Sequence, residues 1–181
     1  YKWNTSFGSS TYACSPSYRG SKPASESEVE SVMNFLQRRK SSQSKFYAYF
    51  NLHAYGRFWL LPWTYTMLER VPNFDELLER SNRVAANATN GTYRVGQAST
   101  VLYPCSGTSI DFASTFLSHA ITFELPPLFS GLPLCFEYNK TPDYTCSVGF
   151  LTGPERIAID GKEILQAIVQ YMHSVIQDYF V

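Results

Sequence analysis

The sequence predicts an α/β fold built on a mixed sheet. Two observations carry this: segments with helical apolar periodicity alternate with short apolar strands along the whole chain, and neither an internal repeat nor a linker divides it. A length of 181 residues suits one domain with a substantial hydrophobic core.

Residues 1–24 are rich in Ser, Gly, Tyr and Pro without periodicity and read as loop. Ser25-Glu-Ser-Glu28 has the form of a capping box, followed by Val29, Val32, Met33 and Leu36 at helical spacing. Arg38, Arg39 and Lys40 then sit where cations favour a helix C-terminus. Lys45 to His53 alternates, with Phe46, Ala48, Phe50 and Leu52 on one face and Tyr47, Tyr49, Asn51 and His53 on the other. Both faces are largely apolar, which predicts a central strand of a covered sheet. Arg57 to Leu61 reads as a second strand ended by Pro62. Asn73 is placed to cap a helix running to about Asn87, with Glu76 and Arg80 as an i,i+4 pair. Tyr93 to Gln97 and Thr100 to Leu102 read as short strands, Ser109 to Leu117 as a short helix, and Ala120 to Leu125 as a compact apolar strand. Residues 126–148 form a Pro-rich excursion without predicted regular structure. Asp160-Gly-Lys-Glu163 is expected to open the last helix, with Ile164, Ile168, Met172, Val175 or Ile176, and Tyr179 as its apolar stripe.

Fifteen basic residues balance fifteen acidic ones, so no global field steers the chain toward nucleic acid or anionic lipid. The longest apolar run, Phe58 to Trp63, is far too short to span a bilayer. Asn4-Thr-Ser, Asn87-Ala-Thr, Asn90-Gly-Thr and Asn139-Lys-Thr are N-glycosylation sequons. Cys135 and Cys146 flank a loop rich in turn formers and are candidates for a disulfide. Together these predict a secreted or extracellular protein, with a lysosome or digestive lumen as further options. No signal peptide is present and the first residue is Tyr1, so a preceding segment is expected.

Three side chains could carry chemistry. His53 ends a strand, at the rim where open α/β sheets bind ligands; a satisfied structural histidine is the alternative. Glu124 lies inside Ile121-Thr-Phe-Glu-Leu125 with no other ionisable group. A carboxylate there is costly unless it is paired, metal-linked or perturbed; a solvent-facing edge position is the alternative. Tyr103 sits in Leu-Tyr-Pro-Cys-Ser-Gly, where simple packing is the ordinary role.

An ordered series of segments adds to this: Cys14-Ser-Pro-Ser-Tyr-Arg-Gly20, Ser25-Glu-Ser-Glu-Val29, Phe50-Asn-Leu-His-Ala-Tyr55, Tyr103-Pro-Cys-Ser-Gly-Thr-Ser-Ile-Asp111, Thr122-Phe-Glu-Leu125 and Gly149-Phe-Leu151. In this order the chain resembles the pancreatic-type zinc metallocarboxypeptidases along nearly its whole length. The resemblance implies a mostly parallel mixed sheet flanked by helices. It implies that His53 is a zinc ligand, with Ala54 replacing the family's serine. Glu124 matches the general base that moves a proton from water to the leaving amine. Tyr103 matches the mobile tyrosine that closes over the substrate carboxylate, and Tyr55 and Phe150 match residues lining neighbouring subsites. Ile110 matches the floor of the pocket for the C-terminal side chain, which implies an apolar or aromatic preference. Asp111 is expected to cap or buttress the short helix.

The family's His-x-x-Glu motif has no counterpart here: His53, His119 and His173 all lack a glutamate three residues later. The Asn-Arg pair that grips the substrate carboxylate precedes a Tyr-Lys-Trp in relatives, and this chain opens with Tyr1-Lys2-Trp3. The expectation is therefore that residues 1–181 are the C-terminal portion of one catalytic domain. An N-terminal fragment of the same enzyme would then be its partner, sharing one sheet and supplying the remaining ligands of a single zinc ion. The substrate would be peptide or protein C-termini. Other features depart from the family: Pro126 and Pro127 follow Leu125 where an arginine and aspartate are common, Cys105 stands beside the pocket, and the partner of Cys14 is expected upstream. The competing expectation is a non-catalytic carboxypeptidase-like glycoprotein that binds or supports. Joint retention of His53, Tyr103 and Glu124 favours the enzyme.

Overall fold

The computed structural model describes residues 2–4, 8–41, 46–127 and 150–180. Their elements are α1 (Ser27–Ser41), β1 (Tyr49–Ala54), β2 (Phe58–Leu61), α2 (Phe74–Ala88), β3 (Arg94–Gln97), α3 (Ala98–Val101), α4 (Ser109–Ala113), β4 (Ala120–Leu125) and α5 (Pro154–Phe180). Expectations for Asn139, Cys135, Cys146 and most of the 126–148 excursion fall outside the described residues.

The four strands form one mixed sheet in the order β1-β4-β2-β3. β1 runs parallel to β4 and β2 parallel to β3, while β2 and β4 are antiparallel. Alternation along each strand sorts side chains between the two faces. On one face Trp59 and Leu61 of β2 join Ile121 and Phe123 of β4 under α2 and α5, whose Leu77, Val84, Ala167, Tyr171 and Val175 complete the main core. Trp59 meets the Phe123 ring edge-on at 4.6 Å, and Phe50 does the same to Tyr171 at 5.7 Å, geometries favoured by aromatic quadrupoles. On the other face Phe58 and Leu60 pack with Ala98 and Leu102, and Tyr49 and Ala120 pack with Ile110 and Ala113 of α4. With both faces covered, β2 shows no polar alternation, and all four of its residues are buried.

β1 differs from its expectation. Among the described residues it is an edge strand, and its second half, Leu52 to Ala54, is exposed. Its apolar alternation is that of a covered strand, but β4 takes the central place. Thr100–Leu102 is not a strand: β3 ends at Gln97 and the chain turns directly into α3. The capping box does not form. Ser25 Oγ bonds Glu26 Oε1, and Glu28 is instead bonded by Ser27. The Ser25 hydroxyl lies against Gly20, where a Cβ would stand only 2.1 Å from it. Nor does Asn73 cap α2; its amide donates to Ser118 O, fastening the helix start to the approach to β4. α5 begins at Pro154, six residues before Asp160, since a proline is well accommodated in the first turn of a helix. Its buried stripe runs Ile164, Ala167, Tyr171 and Val175, so Val175 rather than Ile176 is the buried one of the two alternatives.

Two tethers hold distant segments in place around this sheet. Arg80, buried on α2, donates to Ser174 O at 2.5 Å and to Glu76 and Asp178, clamping α2 to the end of α5. Gly8 (φ +78°) lies flush against the 103–108 loop; a Cβ there would come within 2.3 Å of Cys105 Cα.

Candidate active site

Parallel pairing of β1 and β4 brings their carboxyl ends together, with His53 opposite Glu124 and Phe58 on the other side of Glu124. Strand parity sends Asn51, His53, Thr122 and Glu124 to the face that carries α3, α4 and the loop between them. His53 Nδ1 lies 3.8 Å from Glu124 Oε1, and the imidazole is half exposed while the carboxylate is nearly covered. Glu124 Oε2 is buried and has no hydrogen-bond partner among the described residues. Burial pushes the Glu124 carboxyl up to about 7, and burial also lowers the basicity of His53. Two groups thus face each other at a sheet rim, one with a free acceptor atom and one with a ring nitrogen. Such a pair can accept a metal ion on the imidazole and move a proton on the carboxylate.

Above them runs the 103–108 loop. Burial pushes the Tyr103 phenol up to about 12, reinforced by the neighbouring Cys105 and Glu124. The Cys105 N–H donates to Thr64 O at 2.9 Å, and its carbonyl oxygen lies 2.9 Å from the Thr64 hydroxyl. Asp111 anchors the same region from below. Fully buried, it accepts from Thr64 N–H (2.8 Å), Thr64 Oγ1 (2.6 Å) and Tyr65 N–H (3.3 Å). It therefore buttresses the segment after β2 as well as the short helix it belongs to.

The remaining expected residues lie in different surroundings. Ile110 is buried against Tyr49, Ala113 and Ala120. Tyr55 is buried just past β1, and the exposed Phe150 ring stands edge-on to it at 4.9 Å. Asn4, Asn87 and Asn90 are all exposed. Among the described residues Cys14 is a free, exposed thiol and Cys105 a free, half-buried one. Asn51 is a site residue that the sequence alone does not single out; its amide nitrogen lies 2.8 Å from His53 Nε2 and 2.7 Å from Ser109 Oγ. The available signal is its place two residues before His53 on one face of a strand. Among the described residues no group of three or more His, Cys, Asp or Glu could hold a metal ion, and no helix is long and apolar enough to cross a membrane.

The chain is 39% identical over 130 residues to mouse carboxypeptidase A4, covering 68% of this chain and 30% of that protein. It is 27% identical over 170 residues to zinc carboxypeptidase A 1 of Anopheles gambiae, covering 92% of this chain and 35% of that protein. It superposes with a TM-score of 0.75 and 26% identity on bovine thrombin-activatable fibrinolysis inhibitor solved with a tick carboxypeptidase inhibitor, covering 95% of this chain and 53% of that one. The chain spans about a third of the length of the curated relatives it matches. Residues 1–165 match the family described as zinc carboxypeptidase, and the chain belongs to that family.

Proposed function

We propose that this chain carries one side of the active site of a zinc-dependent exopeptidase that removes C-terminal apolar or aromatic residues from peptides. The observation that carries it is the pairing of His53 and Glu124 at adjoining strand ends, with Glu124 Oε2 buried and unpartnered among the described residues. A buried carboxylate left with a free acceptor atom fits the neighbourhood of a cation and of a proton donor. His53 offers one imidazole to such an ion. A catalytic zinc takes three protein ligands, so two further ligands come from outside the described residues, by this proposal from the N-terminal portion of the same enzyme. Among the described residues β1 is the edge strand, and by this proposal that portion adds beside it.

Zinc, when bound, supplies Lewis acidity at the carbonyl and acidifies water. The chain's own residues do the rest. Glu124, with a proton affinity near neutrality, takes a proton from water and returns it to the departing amine. Tyr103, a neutral phenol across the working pH range, donates a hydrogen bond to the substrate. Tyr55 and Phe150 offer an aromatic wall, and Ile110, which has no charge to pair with a cation, excludes Lys and Arg from the pocket floor. The sequons and the two cysteines of the excursion support a secreted protein.

The test uses the protein with its complete set of zinc ligands and peptides ending in Phe or Lys. Phe should be released at least tenfold faster by kcat/KM. Glu124→Gln should lower kcat by about 10²–10⁴-fold at unchanged zinc content. Equal release of Lys would sink the preference, and full activity of Glu124→Gln would sink the assignment of the base.

A further inference from the structure

We propose that Asn51 is a positioning residue for His53, its side-chain amide setting both the orientation of the imidazole and which ring nitrogen is free to bind a metal. The inference rests on the reading of His53 as a metal ligand and goes beyond it to how that ligand is prepared.

Asn51 and His53 share one face of β1, and the Asn51 amide lies between two groups, His53 Nε2 at 2.8 Å and Ser109 Oγ at 2.7 Å. The opposite ring nitrogen, Nδ1, is the one directed at Glu124. A half-exposed imidazole has little packing to fix its rotation, so the bond at Nε2 holds it.

The oxygen and nitrogen of a carboxamide occupy nearly the same space, which gives the contact two settings. With the NH₂ turned inward, Asn51 donates to both Nε2 and Ser109 Oγ, and the neutral ring keeps its proton on Nδ1. With the carbonyl turned inward, Asn51 accepts from Nε2–H and from the Ser109 hydroxyl, and Nδ1 presents its lone pair beside Glu124. Only the second setting lets Nδ1 bind a metal, because a ligating imidazole needs the lone pair on one nitrogen and the proton on the other. The Ser109 hydroxyl can rotate to suit either setting. Since Ser109 opens α4, the metal-facing ring is held by the same short helix that carries Ile110 and Asp111.

The test reads the tautomer directly. Nitrogen-15-labelled histidine in the metal-free complete protein, at pH 8 where imidazole is neutral, reports the proton's position through long-range ¹H–¹⁵N correlations; His53 is assigned by its loss in His53→Gln. Asn51→Asp leaves an acceptor only and should hold His53 wholly in the Nε2–H form. Asn51→Leu removes the bond at similar size and should give a mixture of both forms. In the protein with its complete ligand set, Asn51→Leu should bind zinc about 10- to 100-fold more weakly than wild type, and Asn51→Asp at least as well as wild type. Identical His53 shifts in wild type and both variants, or unchanged zinc affinity in Asn51→Leu, would overturn the proposal. If the tautomer responds as stated but no form of the complete protein binds zinc, the positioning role stands and the metal reading fails.

Discussion

Replacing Asp111 should loosen the wall of the proposed pocket, because one carboxylate satisfies three donors from a segment with no regular structure. Two of these are the backbone N–H groups of Thr64 and Tyr65, and the third is the Thr64 hydroxyl. Asp111→Ala takes the acceptor from one buried and one part-buried backbone donor, at about 1–3 kcal/mol for the first and less for the second, so the loss should be roughly 2–4 kcal/mol. In Asp111→Asn one oxygen becomes an NH₂ facing donors. The Thr64 hydroxyl can turn to accept from it, but Tyr65 N–H loses its partner, and the charge-assisted character of the rest is gone. The loss there should be roughly 2–3 kcal/mol. Urea unfolding followed by tryptophan fluorescence measures both, and Thr64→Val, which removes the hydroxyl alone, should cost about 1 kcal/mol. An Asp111→Asn protein as stable as wild type, or a Thr64→Val protein as weak as Asp111→Ala, would refute this account of the anchor.

Glu124 makes stability depend on pH. Its folded value of about 7 lies above its ordinary 4.5, so the folded state holds a proton that the unfolded chain releases. The metal-free chain should lose up to about 3 kcal/mol as pH rises from 4.5 to 7 through this group. Urea titrations of Glu124→Gln should lack that component; an identical pH slope in the variant would contradict the assignment. Arg80→Ala should cost roughly 2–4 kcal/mol by leaving Ser174 O and two acidic groups without their common partner. Hydrogen exchange should then speed up in the last turns of α5 while β4 stays protected. Cys14 should react with iodoacetamide well before Cys105, whose thiol is shielded and pushed up by burial. Equal rates in the folded protein would show that the 103–108 loop opens readily.

Elements whose own side chains decide their environment are legible in the sequence. α2 and β4 stand where their apolar patterns predict, and Glu124 is conspicuous because nothing near it in sequence could justify a carboxylate. Elements decided by their neighbours are not. β1 has the alternation of a covered strand, and only the sheet order shows that it forms an edge. Thr100 and Val101 have strand propensity, but they sit inside α3, a four-residue turn packed behind β2. Pro154 marks the start of α5, although the charged cluster further on is the more conspicuous signal. Within the site, the family resemblance supplies roles for His53, Glu124 and Tyr103. The contacts of Asn51 and the double anchorage of Asp111 join residues tens of positions apart, and no local pattern announces them.

The contact at Gly8 makes two distant stretches of chain a single unit of shape. With no room between that α-carbon and Cys105, a change in the course of either loop must be matched in the other. Ser9 and Ser106, joined hydroxyl to hydroxyl at 2.9 Å beside it, extend the same seam. Anyone grafting the 103–108 loop onto a relative to alter its selectivity would therefore have to transplant residues 8–10 as well. A graft of the loop alone would carry the lining of the pocket without the surface that gives it its shape.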